Sequence, residues 1–110
     1  MALLFEVTDC LDRRVVCEEE IWYGKILIAR PFMNGWQGIV SEAVQRPDFI
    51  CQDVHHEDRQ VYFMLNKTEN KRYIKVIVAF DKNKFGRVIS AFPANSGKVG
   101  EVVIWPAFNK

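Results

Sequence analysis

The stretch of sequence that decides the fold is Arg72-Tyr73-Ile74-Lys75-Val76-Ile77-Val78-Ala79-Phe80, the longest uninterrupted strand pattern in the chain. Successive side chains of a strand point to opposite faces of a sheet. One face is therefore wholly apolar and consists of Ile74, Val76, Val78 and Phe80. The other face consists of Tyr73, Lys75, Ile77 and Ala79. We expect helices to cover the apolar face and the lysine face to stay half open.

Length and composition indicate one domain that covers residues 1–110. The chain has 49% hydrophobic and 26% charged residues, which is enough to build one core. No apolar run is long enough for a membrane helix, and Glu6 and Asp9 follow the amino terminus too closely for a secretory signal. We therefore expect a cytoplasmic protein without a membrane partner.

Charge and cysteine content exclude some classes of function and leave others open. The net charge of +1 gives no bulk electrostatic argument for a nucleic-acid partner, although local clusters of cations still attract ligands. Three cysteines, Cys10, Cys17 and Cys51, form no paired spacing. This pattern predicts free thiols, with neither a disulfide framework nor a zinc site.

The amino-terminal half predicts a β-hairpin followed by two helices. The hairpin strands run from Leu3 to Val7 and from Arg13 to Cys17. The first helix opens at the acidic run Glu18-Glu19-Glu20, which favours the positive end of a helix dipole, and ends near Arg30 because Pro31 follows. The second helix begins after Asn34-Gly35 and ends before Pro47.

From residue 48 onward the pattern changes to the alternation of strands. The predicted strands are 49–53, 59–65, 72–80 and 87–92, and residues 102–105 form a further strand or an apolar tail. Helices followed by an antiparallel meander are typical of the α+β class. We therefore predict an amino-terminal hairpin and two helices packed on a four-stranded antiparallel sheet.

Several cations and one serine are candidates for a functional site. Lys75 either reaches into a groove on the half-open sheet face or is an ordinary surface lysine. Ser90 either shares a sheet face with Lys75 and Tyr62 or is a small polar residue of a half-buried strand. Arg59, at the start of its strand, can grip phosphate with two hydrogen bonds.

The first helix contributes two further cations. Lys25 interrupts a stretch from Ile21 to Ala29 that is otherwise largely apolar, so it lacks an evident structural role. Arg30 has one, because a cation at the carboxyl end of a helix is favoured by the dipole.

The pair His55-His56 leaves three interpretations open: a metal site, a solvated loop, or proton transfer by a group that titrates near neutrality. Adjacent histidines in an extended loop point apart, which disfavours a metal. The sequence has no glycine-rich phosphate loop, no G-x-S-x-G motif and no H-E-x-x-H motif. A nucleotide hydrolase or a metalloprotease is therefore disfavoured.

The order of short motifs resembles the phage- and bacterium-associated domains of the barnase/EndoU/colicin/RelE-like nuclease superfamily. The likeness covers nearly the whole chain and rests on the following segments: Leu4-Phe5-Glu6-Val7-Thr8-Asp9 through Arg13-Arg14-Val15, the helix with Trp22, Ile26, Arg30-Pro31 and Met33, Val44-x-x-Pro47-Asp48-x-Ile50-x-x-Asp53, Arg59-x-x-Tyr62, Tyr73-x-Lys75-Val76-x-Val78 and Val88-Ile89-Ser90-Ala91-Phe92-Pro93.

The resemblance implies a ribonuclease that needs no metal and no cofactor, with RNA bound on the open face of the sheet. In such enzymes the ribose 2′-hydroxyl attacks its own phosphodiester, so the protein supplies a base, an acid and cations. By matching position, Lys75 and Ser90 are the catalytic strand residues. Lys25 of the first helix is the third expected catalytic residue, which stabilises charge or donates a proton together with Lys75. Arg59, Arg30, Tyr62 and His55 are the expected substrate contacts.

The chain departs from the family pattern in the first helix. Where relatives carry a histidine before the isoleucine and a histidine-proline-glutamate run, this chain has Lys25 and Arg30-Pro31-Phe32. Lysine and arginine then serve as acid and phosphate clamp, or catalysis is lost and binding remains. The leading hypothesis is a small endoribonuclease or ribonuclease-like toxin, with an antitoxin or immunity-type protein as a further partner.

Two alternatives remain open. One is a catalytically degenerate module that binds RNA or protein. The other is an interaction domain that uses the aromatic residues Trp22, Trp36 and Trp105.

Overall fold

A computed structural model of the protein describes residues 2–66 and 71–107. Its strands form one sheet in the order β1-β2-β6-β5-β4-β3-β7. The strands are β1 Leu3–Thr8, β2 Arg14–Glu18, β3 Phe49–Gln52, β4 Arg59–Leu65, β5 Tyr73–Phe80, β6 Gly86–Ala94 and β7 Val102–Trp105. All neighbours pair in antiparallel fashion except β2 and β6, which are parallel.

Two helices cross one side of the sheet. The first helix, residues 19–29, is α-helical at Glu19–Ile21 and Leu27–Ala29 with a π-helical turn at Trp22–Ile26 between them. It ends at Arg30, because the residue before a proline avoids the helical region, and a 3₁₀ turn follows at Pro31–Met33. The second helix is Gln37–Gln45.

Within the described ranges, no helix has both the length and the apolar character that a membrane crossing requires.

The predicted architecture, a hairpin and two helices on a four-stranded antiparallel sheet, is wrong. The sheet has seven strands and is mixed, because β2 pairs in parallel with β6 and β7 pairs with β3. The hairpin and the carboxyl-terminal strand pair with the outer strands of the meander, so that backbone groups of β6 and β3 are hydrogen-bonded and β1 and β7 become the edges of the sheet. The prediction placed the hairpin as a separate layer.

The first face of the sheet, which carries Ile74, Val76 and Val78 of β5, holds the main core. The helices pack on this face through Trp22, Ile26, Val40 and Val44, all of which are buried. The expectation that helices cover this face is met because every second residue of β5 is apolar, and such a stripe is stabilised by removal from water.

The second face, which carries Tyr73, Lys75 and Ile77 of β5, is only partly covered. Phe49 and Phe63 stack with ring centroids 4.6 Å apart, and Tyr73 meets both rings edge-on. The crossing segment, residues 95–101, runs over this face from β6 to β7. A side chain at Gly97 would lie against the ring of Phe63, so the segment passes close above β4.

We expect Gly86→Ala to lower the free energy of unfolding by about 1 to 3 kcal/mol, because the added methyl group does not fit without displacing its neighbours. A Cβ at Gly86 would lie 2.7 Å from the Phe80 ring and from a Val78 methyl. Urea unfolding measures the loss. Gly38→Ala is the matched control, since a Cβ there meets nothing within 4 Å and alanine favours the second helix by about 0.5 to 1 kcal/mol. Equal effects of the two substitutions would contradict the packing around Gly86.

Candidate nucleic-acid interface

The candidate site is built around residues 89–92 of β6, where the first helix takes the place of a neighbouring strand. Strand β2 pairs with β6 only as far as Val16 and Arg87. Beyond that point, Lys25 reaches the strand from the π-helical turn and its Nζ donates a hydrogen bond of 2.6 Å to the Ile89 carbonyl. π-helical turns are often found at functional sites, and this one places a lysine at the edge of the sheet.

Arg30 reaches the same strand from the end of the first helix. The turn that Pro31 imposes brings its guanidinium carbon to 4.7 Å from the ring centroid of Phe92. A cation over an aromatic ring at this distance is attracted by the ring quadrupole, which holds the arginine in place without neutralising it. Arg30 therefore remains able to bind an anion.

Lys75 is paired directly with Phe92 of the neighbouring strand and is almost completely buried. Its Nζ is 5.5 Å from the ring centroid of Phe92 and 5.1 Å from that of Phe63. The crossing segment brings Glu101 to 3.6 Å from the ammonium, and both side chains are only 3% exposed. Lys75 is thus neither a free surface lysine nor open to solvent in a groove, because a carboxylate and two rings enclose it.

Glu101 is the functional-site candidate that sequence reasoning missed. It is the only acidic residue after Asp81, although this part of the chain has five lysines and arginines, and that isolation was the available signal. Its Oε1 accepts a hydrogen bond of 2.8 Å from the Lys98 amide, while Oε2 faces Lys75. The carboxylate therefore fixes the crossing segment to the sheet.

Ser90 lies opposite Ile77, so it shares the second face with Lys75 and Phe92. It is half-buried, and its hydroxyl makes no hydrogen bond within the described part of the chain. Because alternate residues of a strand are about 7 Å apart, Ser90 and Phe92 present their side chains side by side. The hydroxyl is accessible to a ligand that approaches Lys25 and Arg30.

Tyr62 does not belong to this site. It pairs with Val76 and therefore lies on the first face, where it is fully buried. Its hydroxyl donates a hydrogen bond to Asp9 Oδ2. Burial, together with that bond, raises the pKa of Tyr62 above the ordinary range for tyrosine. The side chain is consequently a neutral structural donor and is not available for stacking with a substrate.

Arg59 and His55 lie at the far end of the meander. Arg59 pairs with Ala79, four residues along β5 from Lys75, which corresponds to about 13 Å. His55 lies in the exposed turn before β4, and its amide donates to Asp53 Oδ2. The structure therefore gathers Lys25, Arg30, Lys75 and Ser90 but separates Arg59 and His55 from them.

The charge balance of the gathered residues is positive. The ion pairs within residues 2–66 and 71–107 are Arg13 with Asp9, Arg14 with Glu6 and Lys75 with Glu101. Neither Lys25 nor Arg30 meets a carboxylate there. We name these two cations, together with Ser90 and Phe92, the basic edge.

In the basic edge, Lys25 is exposed, and Arg30, Ser90 and Phe92 are half-buried. A depression of about 310 Å³ lies elsewhere, between the second helix and the end of β4, and another of about 340 Å³ lies beside Arg13 and Phe80. A half-buried strand edge flanked by two cations suits an extended ligand better than a small enclosed one.

Two further observations concern thiols and possible metal ligands. Burial, with the Glu101 carboxylate nearby, raises the pKa of the Cys51 thiol to about 11, so that thiol is not a nucleophile at neutral pH. Across the described residues, no three His, Cys, Asp or Glu side chains come together as a metal site.

Comparison with known proteins gave no match: no family model, no curated protein and no solved structure corresponds to this chain. The resemblance to the barnase/EndoU/colicin/RelE-like nucleases therefore stays a prediction.

The Lys75–Glu101 pair gives a test of this part of the structure. We expect Lys75→Met and Glu101→Gln each to lower the free energy of unfolding by about 3 kcal/mol, because each leaves a buried charge without its partner. The double variant should lose less than either single variant, since no uncompensated charge remains. Urea unfolding of the four proteins measures this coupling. Strictly additive losses would show that the two side chains do not interact.

Proposed function

We propose that this protein binds single-stranded RNA through the basic edge. The observation that carries the proposal is that Lys25 and Arg30, two cations without carboxylate partners in the described part of the chain, converge on residues 89–92 of β6. Lysine and arginine bind nucleic acids chiefly through backbone phosphates. The choice of RNA rests on the motif resemblance, which implies an RNA substrate.

The chemistry of the neighbouring residues supports a single strand. The guanidinium carbon of Arg30 lies 4.7 Å from the ring centroid of Phe92, and unpaired bases can stack on arginine guanidinium groups and on aromatic rings. Ser90 beside it can donate a hydrogen bond to a phosphate or a ribose hydroxyl. In a duplex the bases are already stacked on one another, so they are not available to stack on Arg30 or Phe92.

Metal-independent cleavage of the bound RNA is the second candidate function. It is favoured by Lys75 and Glu101, an ammonium and a carboxylate that meet on the same face as Ser90. In such a reaction the 2′-hydroxyl oxygen attacks the adjacent phosphorus, the hydroxyl proton passes to a base, and an acid protonates the departing 5′-oxygen. Both side chains are only 3% exposed, so cleavage requires a rearrangement that admits the RNA to them.

One experiment separates the two functions. A labelled single-stranded RNA is incubated with the protein in the presence of EDTA. Fluorescence anisotropy measures binding, and gel electrophoresis measures cleavage. Binding without cleavage supports the first function. If the wild type cleaves RNA and both Lys75→Ala and Ser90→Ala lose this activity, the second function is supported. Ser90→Ala is included because Lys75→Ala can lose activity simply by failing to fold. Absence of binding at low salt would exclude both.

We also propose a cytosolic location, where RNA is available. Cys10, Cys17 and Cys51 are all free thiols, and Cys10 is exposed. Unpaired thiols, one of them accessible, are typical of a reducing compartment.

A further inference from the structure

A second pair of cations lies on the second face, away from the basic edge. Ala79 of β5 pairs with Arg59 on one side and with Arg87 on the other. Directly paired residues of neighbouring strands share a face, so both arginines flank the small alanine side chain. The crossing segment contacts the opposite half of β5, at Lys75, and Arg87 is exposed.

Neither arginine is neutralised by its surroundings. Within the described ranges neither makes an ion pair, and the only ring contact is that of Arg87 over Phe85 at 5.3 Å. The Nε of Arg59 is buried and finds no hydrogen-bond partner among residues 2–66 and 71–107. A buried donor without a partner is unfavourable, and an acceptor supplied by a ligand would remove that cost.

The spacing of the two arginines suits one phosphate group. Two strand spacings place their Cα atoms about 10 Å apart, and the small side chain of Ala79 lies between them. A tetrahedral phosphate presents oxygens in several directions and can accept hydrogen bonds from two guanidinium groups on opposite sides. A planar carboxylate has two oxygens and is satisfied by one bidentate arginine.

We infer that Arg59 and Arg87 form a second anion site, above Ala79, that binds a phosphate group. The assignment of that phosphate to RNA rests on the proposed function. Arg87 is three residues from Ser90 along β6, about 7 to 10 Å, so one RNA strand that runs along β6 would contact both sites. The site itself depends only on the two arginines.

The site is tested with inorganic phosphate. In NMR spectra of the labelled protein, phosphate should shift the Arg59 Nε–H signal and the Ala79 amide in a saturable manner. Arg87→Gln should weaken this binding about tenfold, because it removes one charged donor pair. Arg14→Gln is the control, since Arg14 is an exposed arginine that is already paired with Glu6 at 2.9 Å. The inference would be overturned if phosphate causes no saturable shift in the wild type, or if it binds Arg87→Gln as tightly as the wild type.

An RNA arm distinguishes this inference from the proposed function. With an oligonucleotide of about 12 nucleotides, Arg87→Gln should lower the slope of log affinity against log salt by about one. If phosphate binds above Ala79 but the protein binds no RNA, the proposed function is wrong and the anion site stands. If RNA binds and depends on Lys25 and Arg30 while Arg87→Gln changes neither phosphate nor RNA binding, the second site is wrong and the proposed function stands.

Discussion

Replacement of Asp9 by alanine is expected to lower the free energy of unfolding by about 3 to 5 kcal/mol, one of the two largest effects that the structure predicts. The Asp9 side chain is fully buried. Its Oδ2 lies 2.9 Å from the Arg13 guanidinium and accepts the hydrogen bond of the Tyr62 hydroxyl. Its Oδ1 accepts bonds from the Leu11 and Arg13 amides. Removal of this carboxylate leaves a buried hydroxyl and a half-buried cation without their acceptor.

Urea unfolding monitored by circular dichroism measures this loss. Tyr62→Phe should cost only about 1 to 2 kcal/mol, because it removes the donor and leaves the Asp9–Arg13 pair intact. Glu42→Ala is the control for loss of a carboxylate, since Glu42 is exposed on the second helix and its removal should change stability by less than about 0.5 kcal/mol. A loss below about 1 kcal/mol in Asp9→Ala would contradict the role assigned to the buried carboxylate.

The second large effect concerns RNA binding. We expect the double substitution Lys25→Gln and Arg30→Gln to weaken binding by about 10- to 100-fold at low salt and to lower the slope of log affinity against log salt by about two. Both cations reach β6 without a carboxylate partner in the described part of the chain. Their charge is therefore free to replace the counterions of RNA phosphates.

A variant with the same net charge is needed as control. Arg46 and Lys71 are exposed and lie outside the basic edge, so Arg46→Gln with Lys71→Gln changes the total charge equally. This pair should leave affinity within about threefold of the wild type, because exposed distant charges are screened by salt. An equal loss in both double variants would mean that binding follows total charge, and the basic edge would not be the site.

Local patterns predicted the strands and helices well. The strand Arg59–Leu65 has the bounds that its sequence predicts, and the central strand begins one residue later than expected, at Tyr73. Proline fixed the end of both helices. These features depend on residues that are neighbours in sequence, so alternation, helical period and proline contain the necessary information.

The sheet as a whole was not predictable in the same way. The parallel pairing of β2 with β6 joins residues about seventy positions apart in the sequence. The residue pattern of each strand does not indicate which other strand it pairs with. The same holds for Tyr62, whose partner Asp9 is 53 residues away. Alternation nevertheless places Arg59 and Tyr62 on opposite faces of their strand, so the sequence alone excludes that both share the face of Lys75.

The positions of the candidate site residues follow from the sequence only in part. Lys25 interrupts an apolar stretch, and the structure places this lysine at the Ile89 carbonyl. The burial of Lys75 was not predicted, because it depends on the crossing segment and on Glu101, which approaches from another part of the chain. Strand alternation indicates the face of a side chain, but it does not indicate what covers that face.

The most direct test of the central claim is an NMR titration of the isotopically labelled protein with a single-stranded RNA at low salt. The claim that RNA binds at the basic edge predicts the largest shifts at the backbone amides of residues 89–92 and at the side chains of Lys25 and Arg30. Shifts confined to other surfaces, such as the turn with His55 or the outer edge of β7, would contradict it, as would a spectrum that RNA leaves unchanged.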